Sequence, residues 1–259
     1  MTLANIIDQK RYPLTDKDFQ QTCRKSVDET GVLVLENFLN ADAVTKVREE
    51  GEAHKDKAYF CAQKHNVYLT PSDPDYSEDH PRNRQVISSK GCITDDQIPG
   101  NSPLRILYDA GEFREFLCAV LGEEALHNYA DPLSSINLHY AGVGQELGWH
   151  FDNSSFATTL MIQEPESGGV FEYVGGLRDA DNNEMNFDGV EQVLNGERPV
   201  QSLSMGAGAL VLFRGRNAIH RVAPVEGNRT RMLVVLAYNS KPGIALSESA
   251  RMTFYGRLG

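Results

Sequence analysis

An α+β protein, with a helical N-terminal part packed on a double-stranded β-helix core (a jelly roll, cupin-like), is the fold class this sequence predicts. Three observations carry that prediction. The first third shows helical periodicity with capping residues. From about residue 135 the chain breaks into short apolar runs separated by glycine-rich turns. No regular exchange of strand and helix is present that would build a parallel sheet. All 259 residues are read as one domain, with 1–130 mainly helical support and a lid loop, and 131–259 the jelly-roll core.

Taken in order, residues 15–30 fit an amphipathic helix, and Gly31-Val-Leu-Val-Leu35 reads as a buried strand. A helix from Ala41 to Tyr59 follows, with Asn40 as its N-cap. Residues 66–100 are rich in Pro, Ser, Asp and Gly and fit no period, so they read as one long functional loop. Ser102-Pro103 opens a helix that closes at Gly122. Strands are then expected at Ile136–Tyr140, Phe156–Gln163, Gly169–Val174, Ala209–Phe213 and Met232–Tyr238, with one short helix near Asp188–Leu194.

The charge balance of 25 basic against 36 acidic residues argues against a nucleic-acid partner, because phosphate binding needs basic patches. The four cysteines are scattered without a CxxC pair, the opening MTLANIIDQKRYPLTDKDF has no apolar core, and no run approaches a membrane span. A reduced, soluble, cytoplasmic protein without a membrane partner is expected, and a homo-oligomer is left open.

The segment Gly148-Trp-His-Phe-Asp-Asn153 sets His150 and Asp152 two residues apart, which on a strand gives both the same face while Phe151 turns away. His220 follows the strand at Ala209–Phe213. Two imidazoles and one carboxylate on one side of a metal form the facial triad of non-haem iron(II) oxygenases, which leaves positions for a 2-oxoacid and for O2. The distal carboxylate of 2-oxoglutarate then needs a guanidinium. Gly227-Asn-Arg-Thr-Arg231 offers Arg229 and Arg231, which share parity. Arg231 directly precedes the apolar run Met232–Leu236 and is the better placed.

The stretch Gly148-Trp-His-Phe-Asp-Asn-Ser-Ser-Phe, with Leu212-Phe-Arg-Gly-Arg-Asn-Ala-Ile-His-Arg-Val-Ala-Pro, resembles the iron(II)/2-oxoglutarate-dependent dioxygenase superfamily. Within it, the sequence is most similar to the radical halogenases of free amino acids such as lysine and to their hydroxylase relatives. In those halogenases a small residue, usually glycine, replaces the carboxylate ligand and chloride takes the vacated position. Asp152 is present here, so the resemblance implies the hydroxylase branch: Fe(II), 2-oxoglutarate and O2 as cofactors and co-substrates, with hydrogen abstraction and hydroxyl rebound on a free amino acid, lysine or a similar basic one.

Substrate-binding candidates are Arg82 or Arg84 as a carboxylate clamp, although both read equally well as solvated loop residues. Asp131 is a candidate ammonium partner, though Asp-Pro is also a turn, and Asn153 adjoins the carboxylate ligand. Asn239 and Tyr255 look similar to pocket-lining positions of the family, and a packing role for Tyr255 is an equal alternative. Of His139 and Tyr140, one faces inward, and Tyr140 is a candidate partner for 2-oxoglutarate. Trp149 reads as core. The rival readings are the same chemistry on another small molecule or a peptide side chain, a non-catalytic cupin-like metal-binding protein, and zinc hydrolysis.

Overall fold

The computed structural model describes residues 2–259. Its helices are α1 (Lys17–Thr30), α2 (Ala41–His54), α3 (Pro103–Asp109), α4 (Gly111–Leu121), α5 (Phe187–Leu194) and α6 (Glu248–Tyr255). The strands, in chain order, are β1 (Val32–Leu35), β2 (Tyr59–Asn66), β3 (Gln85–Ile93), β4 (Ile136–Ala141), β5 (Leu147–His150), β6 (Ala157–Gln163), β7 (Ser167–Gly168), β8 (Phe171–Val174), β9 (Gln201–Leu203), β10 (Leu210–Phe213), β11 (Ile219–Val222), β12 (Val225–Glu226) and β13 (Arg231–Leu236). Eleven of them form one antiparallel sheet in the order β1-β10-β6-β13-β4-β3-β5-β11-β8-β9, with β2 on β3. The remaining pair, β12-β7, closes a turn. The sheet curls into the predicted jelly roll because β3 pairs with β4 at one end (Cys92 opposite His139) and with β5 at the other (Ser88 opposite Leu147).

Side-chain parity divides this sheet into an outer and an inner face. On β13, Met232, Val234 and Leu236 join Ile136, Leu138 and Tyr140 of β4 and Leu160 and Ile162 of β6. Together they pack under α1–α4 in one large core with Val27, Phe113, Phe116 and Leu117. The intervening residues Met161, Val211, Phe213 and Leu233 turn to the inner face. Local signals set the helix ends: the Asp16 and Asn40 side chains accept from Phe19 N and Ala43 N, and Gly31 and Gly122 end their helices in the left-handed region at φ 75° and 78°.

Several expectations need correction. The helix from Ala41 stops at His54, and Tyr59 already belongs to β2. The helix from Pro103 is two helices, broken at Ala110, whose backbone is extended at φ −67°, ψ 122°. The loop at 66–100 is interrupted by β3, which leaves 67–84 as the hairpin connection. Strand β3 escaped the periodicity because its inward face carries Ser88 and Lys90 in place of apolar residues, and β2 is an exposed outer strand. A boundary at residue 130 does not hold for the sheet, since β1, β2 and β3 all pair into it.

Leu160 is fully buried at the contact between the sheet and the helices. Leu160→Ala should lower unfolding free energy by about 2–5 kcal/mol, read from a urea titration monitored by circular dichroism.

Candidate metal centre and its cavity

Strands β5 and β11 pair so that His150 and His220 stand directly opposite one another, with ring centroids 4.2 Å apart. Beyond His150 the strand ends, and the Asp152 amide donates to the Gly215 carbonyl at 3.1 Å. Phe151 is buried on the far side against Tyr68 and Trp149, so Asp152 returns to the face of His150. Asp152 Oδ1 lies 3.8 Å from His150 Nε2 and 3.5 Å from His220 Nε2, and the three potential ligand atoms lie within 4.8 Å of one another.

Both imidazoles are oriented in the same way. His150 Nδ1 lies 2.8 Å from the Gly148 carbonyl and His220 Nδ1 2.9 Å from the Ala218 carbonyl. A carbonyl only accepts, so each Nδ1 carries the proton and each Nε2 turns its lone pair toward Asp152. Burial, with the second imidazole close by, pushes His150 down to about 3, so this ring is neutral at physiological pH. Burial alone would raise Asp152, yet His220 and His150 hold its carboxyl below the usual range. Asp152 Oδ2 is buried and has no hydrogen-bond partner. A buried carboxylate whose Oδ1 faces two imidazole lone pairs and whose Oδ2 has no partner is the electrostatic complement of a divalent cation. The residues present therefore fit a metal of the facial-triad type.

Supports of this centre that sequence reasoning missed surround it. Gly215 packs so close that a Cβ there would overlap Asp152 Oδ2. Arg178 sits 4.0 Å over the Phe151 ring, donates to the Arg216 carbonyl at 2.8 Å and adds positive charge near Asp152. His65 pairs with Ser88 Oγ at 2.7 Å, and that hydroxyl accepts from the Gly148 amide at 3.0 Å. The signal for Gly215 was its position between two arginines in Arg214-Gly-Arg216. The others had none.

A cavity of about 320 Å³ opens from the triad along the inner face. Arg231 enters it from β13, is only 5% exposed, and has no partner for its Nε. Burial pushes it down to about 10, so it remains a cation at neutral pH. Arg229 instead lies outside, donating to the Glu164 and Pro165 carbonyls. Strand parity turns His139 into the cavity. Tyr140 faces the helices, where its hydroxyl donates to the Gly51 carbonyl at 2.7 Å, so the expected contact of Tyr140 with 2-oxoglutarate is corrected. Tyr255 lines the cavity and donates to Asn137 Oδ1 at 2.9 Å.

The other candidates do not line the cavity. Arg84 binds Asn195 Oδ1 and the Leu194 carbonyl, and Arg82 binds the Pro71 carbonyl over the Tyr68 ring, so both tie down the 67–84 loop. Asp131 accepts from Leu133 N, Ser134 Oγ and Leu246 N, which fastens the start of β4 to the approach of α6. Asn153 is exposed, its carbonyl accepting from Arg216. Asn239 makes a backbone bridge to His127. Arg82, Arg84 and Asp131, each also readable as a loop or turn residue, stabilise loops, whereas Asn239, expected to line the pocket, keeps a buried Nδ2 without a partner.

The sequence model of the halogenase D family matches residues 15–253. The chain belongs to the halogenase D family. No curated protein matches it. Solved structures similar to this family member include the non-haem α-ketoglutarate-dependent carbocyclase SnoK from nogalamycin biosynthesis, with TM-score 0.60 at 14% identity over 89% of this chain and 90% of that one. A 2OG-Fe(II) oxygenase family oxidoreductase from Burkholderia pseudomallei superposes with TM-score 0.54 at 12% identity, covering 87% and 92%. A Pseudomonas putida prolyl-4-hydroxylase gives TM-score 0.51 at 14% identity, covering 83% and 96%. At such identities the likeness is one of fold: this halogenase D family member has the jelly roll of the 2OG-Fe(II) oxygenases.

Two variants probe the geometry. Gly215→Ala should push the Asp152 carboxylate aside and weaken divalent-metal binding by about 10–100-fold, measured by calorimetric titration with Co(II). Tyr140→Phe should cost about 1 kcal/mol of stability while leaving 2-oxoglutarate affinity unchanged, read by denaturation and by calorimetry on the same preparation.

Proposed function

We propose that this chain is an iron(II)- and 2-oxoglutarate-dependent hydroxylase of a small molecule, in which His150 Nε2, Asp152 and His220 Nε2 hold the metal. The observation that carries this reading is the buried Asp152 carboxylate, its Oδ1 3.5 and 3.8 Å from the two imidazole Nε2 atoms and its Oδ2 unpaired, in the same cavity as an unpaired buried guanidinium. When bound, iron and the keto-diacid supply the dioxygen activation that oxidises an unactivated C–H bond, with succinate and carbon dioxide released. Arg231 holds the distal carboxylate of the keto-diacid, because its guanidinium is charged, buried and otherwise unsatisfied. Asp152 holds the coordination position that a halide would need, which favours return of hydroxyl to carbon over halogen transfer.

The inner-face aromatic residues keep bulk water from the centre: Phe171 and Phe213 pack on the His220 ring at 5.5 and 4.9 Å. The resemblance directs the substrate reading to a free amino acid, lysine or another basic one. Asp152 is the only acidic residue lining the cavity among the described residues, so a second ammonium finds no carboxylate of its own. Within that class the cavity supports a neutral side chain better. Cytoplasmic residence is part of this reading and is supported by four free cysteines. No helix among the described residues is long and apolar enough to cross a membrane.

Incubation with Fe(II), 2-oxoglutarate, O2 and a panel of free amino acids should yield succinate and one product heavier by about 16 mass units, a single oxygen atom. If 2-oxoglutarate is never converted to succinate, the oxygenase reading is lost. Asp152→Gly should abolish most hydroxylation, and full retention of activity would show that Asp152 is no ligand. Arg231→Met should raise the KM for 2-oxoglutarate by about 10–100-fold, the value of a charge-assisted bond, whereas Arg229→Met should leave it within about twofold.

A further inference from the structure

A second cation enters the cavity, and nothing in the reading above uses it. Lys90 projects from β3, lines the cavity and is half-buried. Its ammonium lies 3.3 Å from each ring nitrogen of His139 and 5.9 Å from the centroid of Phe254 on α6. Among the described residues it makes no ion pair. His139 cannot balance that charge, since burial and the charges of Lys90 and Arg231 hold its pKa well below the usual histidine range and the ring is neutral. The Cys92 thiol beside Lys90, which burial pushes up to about 12, is also uncharged. Asp152 is the one carboxylate whose field reaches Lys90, and it faces both imidazoles.

The register explains why there are two separate cationic points. Arg231 of β13 stands opposite Ala141 of β4. The β3–β4 pairing, continued by one residue from Gly91 opposite Tyr140, sets Lys90 across from the same alanine on its other side. Beyond β3 lies β5, the strand of His150, so the strand of Lys90 stands between those of Arg231 and His150. A buried ammonium without a counter-charge is costly to hold, and an incoming anion would offset that cost.

We propose that Lys90 is a carboxylate anchor distinct from Arg231, and that it binds the acid group of the primary substrate, which is therefore a small carboxylic acid with an apolar side chain. This rests on the assignment of Arg231 to 2-oxoglutarate. The apolar side chain fits Phe156, Leu246, Phe254 and Leu147 of the cavity wall. The same ammonium chemistry would also suit the metal-proximal carboxylate of 2-oxoglutarate, and the experiment separates the two sources.

The test uses Zn(II)-loaded full-length protein, which binds ligands without turnover, titrated calorimetrically with 2-oxoglutarate and then with hexanoate or hexylamine. Wild type should bind hexanoate roughly tenfold or more tighter than hexylamine, the value of one charge-assisted bond. Lys90→Met should lose that preference, Lys90→Arg should regain part of it, and 2-oxoglutarate affinity should stay within about threefold in both. Equal or better binding of hexylamine to wild type would overturn the proposal, as would an undiminished acid preference in Lys90→Met. A loss of 2-oxoglutarate affinity of about tenfold in Lys90→Met would reassign Lys90 to the co-substrate and overturn the substrate assignment. If wild type fails to bind 2-oxoglutarate at all, the oxygenase reading falls by itself, and the acid–amine comparison still decides the role of Lys90.

Discussion

The pairing of β5 with β11 sets His150 directly across from His220, and the rest of the site depends on that one register. A slip of β5 by one residue would turn His150 to the opposite face and set Trp149 or Phe151 against His220. The register is secured from both sides. Strand β8 continues the ladder beyond β11, with Tyr173 opposite His220, and β3 meets β5 through Ser88 and Leu147. Each histidine is then locked in rotation by a carbonyl two residues earlier on its own strand. The backbone that forms the sheet thus also chooses the tautomer of the ligands.

The two faces of the sheet divide the work. Across β4, β6, β10 and β13 the outer face is mainly apolar and binds four helices, and that packing supplies the stability. The inner face can therefore carry groups that are costly to bury: Asp152 and Arg231, each with an unpaired polar atom, and the lysine–histidine contact between β3 and β4. In a well-packed interior such groups persist because surrounding structure fixes them, and they mark where ligands complete the hydrogen bonding.

Much of the architecture was legible in the residues themselves. The capped α1 and α2, the apolar strands β4, β6, β10 and β13, and the change of texture near residue 135 all follow from local rules. The triad was also legible, because a two-residue spacing and a histidine after a strand are sequence-level signals. Strands β2 and β3 were not, since one is exposed and the other is polar on the face that lines the cavity. The loop arginines Arg82 and Arg84 and the acid Asp131 share composition with binding residues, but they are engaged with carbonyls, amides and hydroxyls that no spacing reveals.

By itself, then, the amino-acid order determined the fold class, the three candidate ligands and the preference for Arg231 over Arg229, because two-residue spacing on a strand and adjacency to an apolar run are purely local properties. Only the tertiary structure decided what those side chains meet. Pairing across four strands brings Arg231, His139, Lys90 and His150 onto one concave face, although they are scattered from residue 90 to residue 231. It also turns Tyr140 away from them and presses Gly215 against Asp152. Such encounters are long-range, fixed by sheet register and curvature, and a one-dimensional pattern does not contain them.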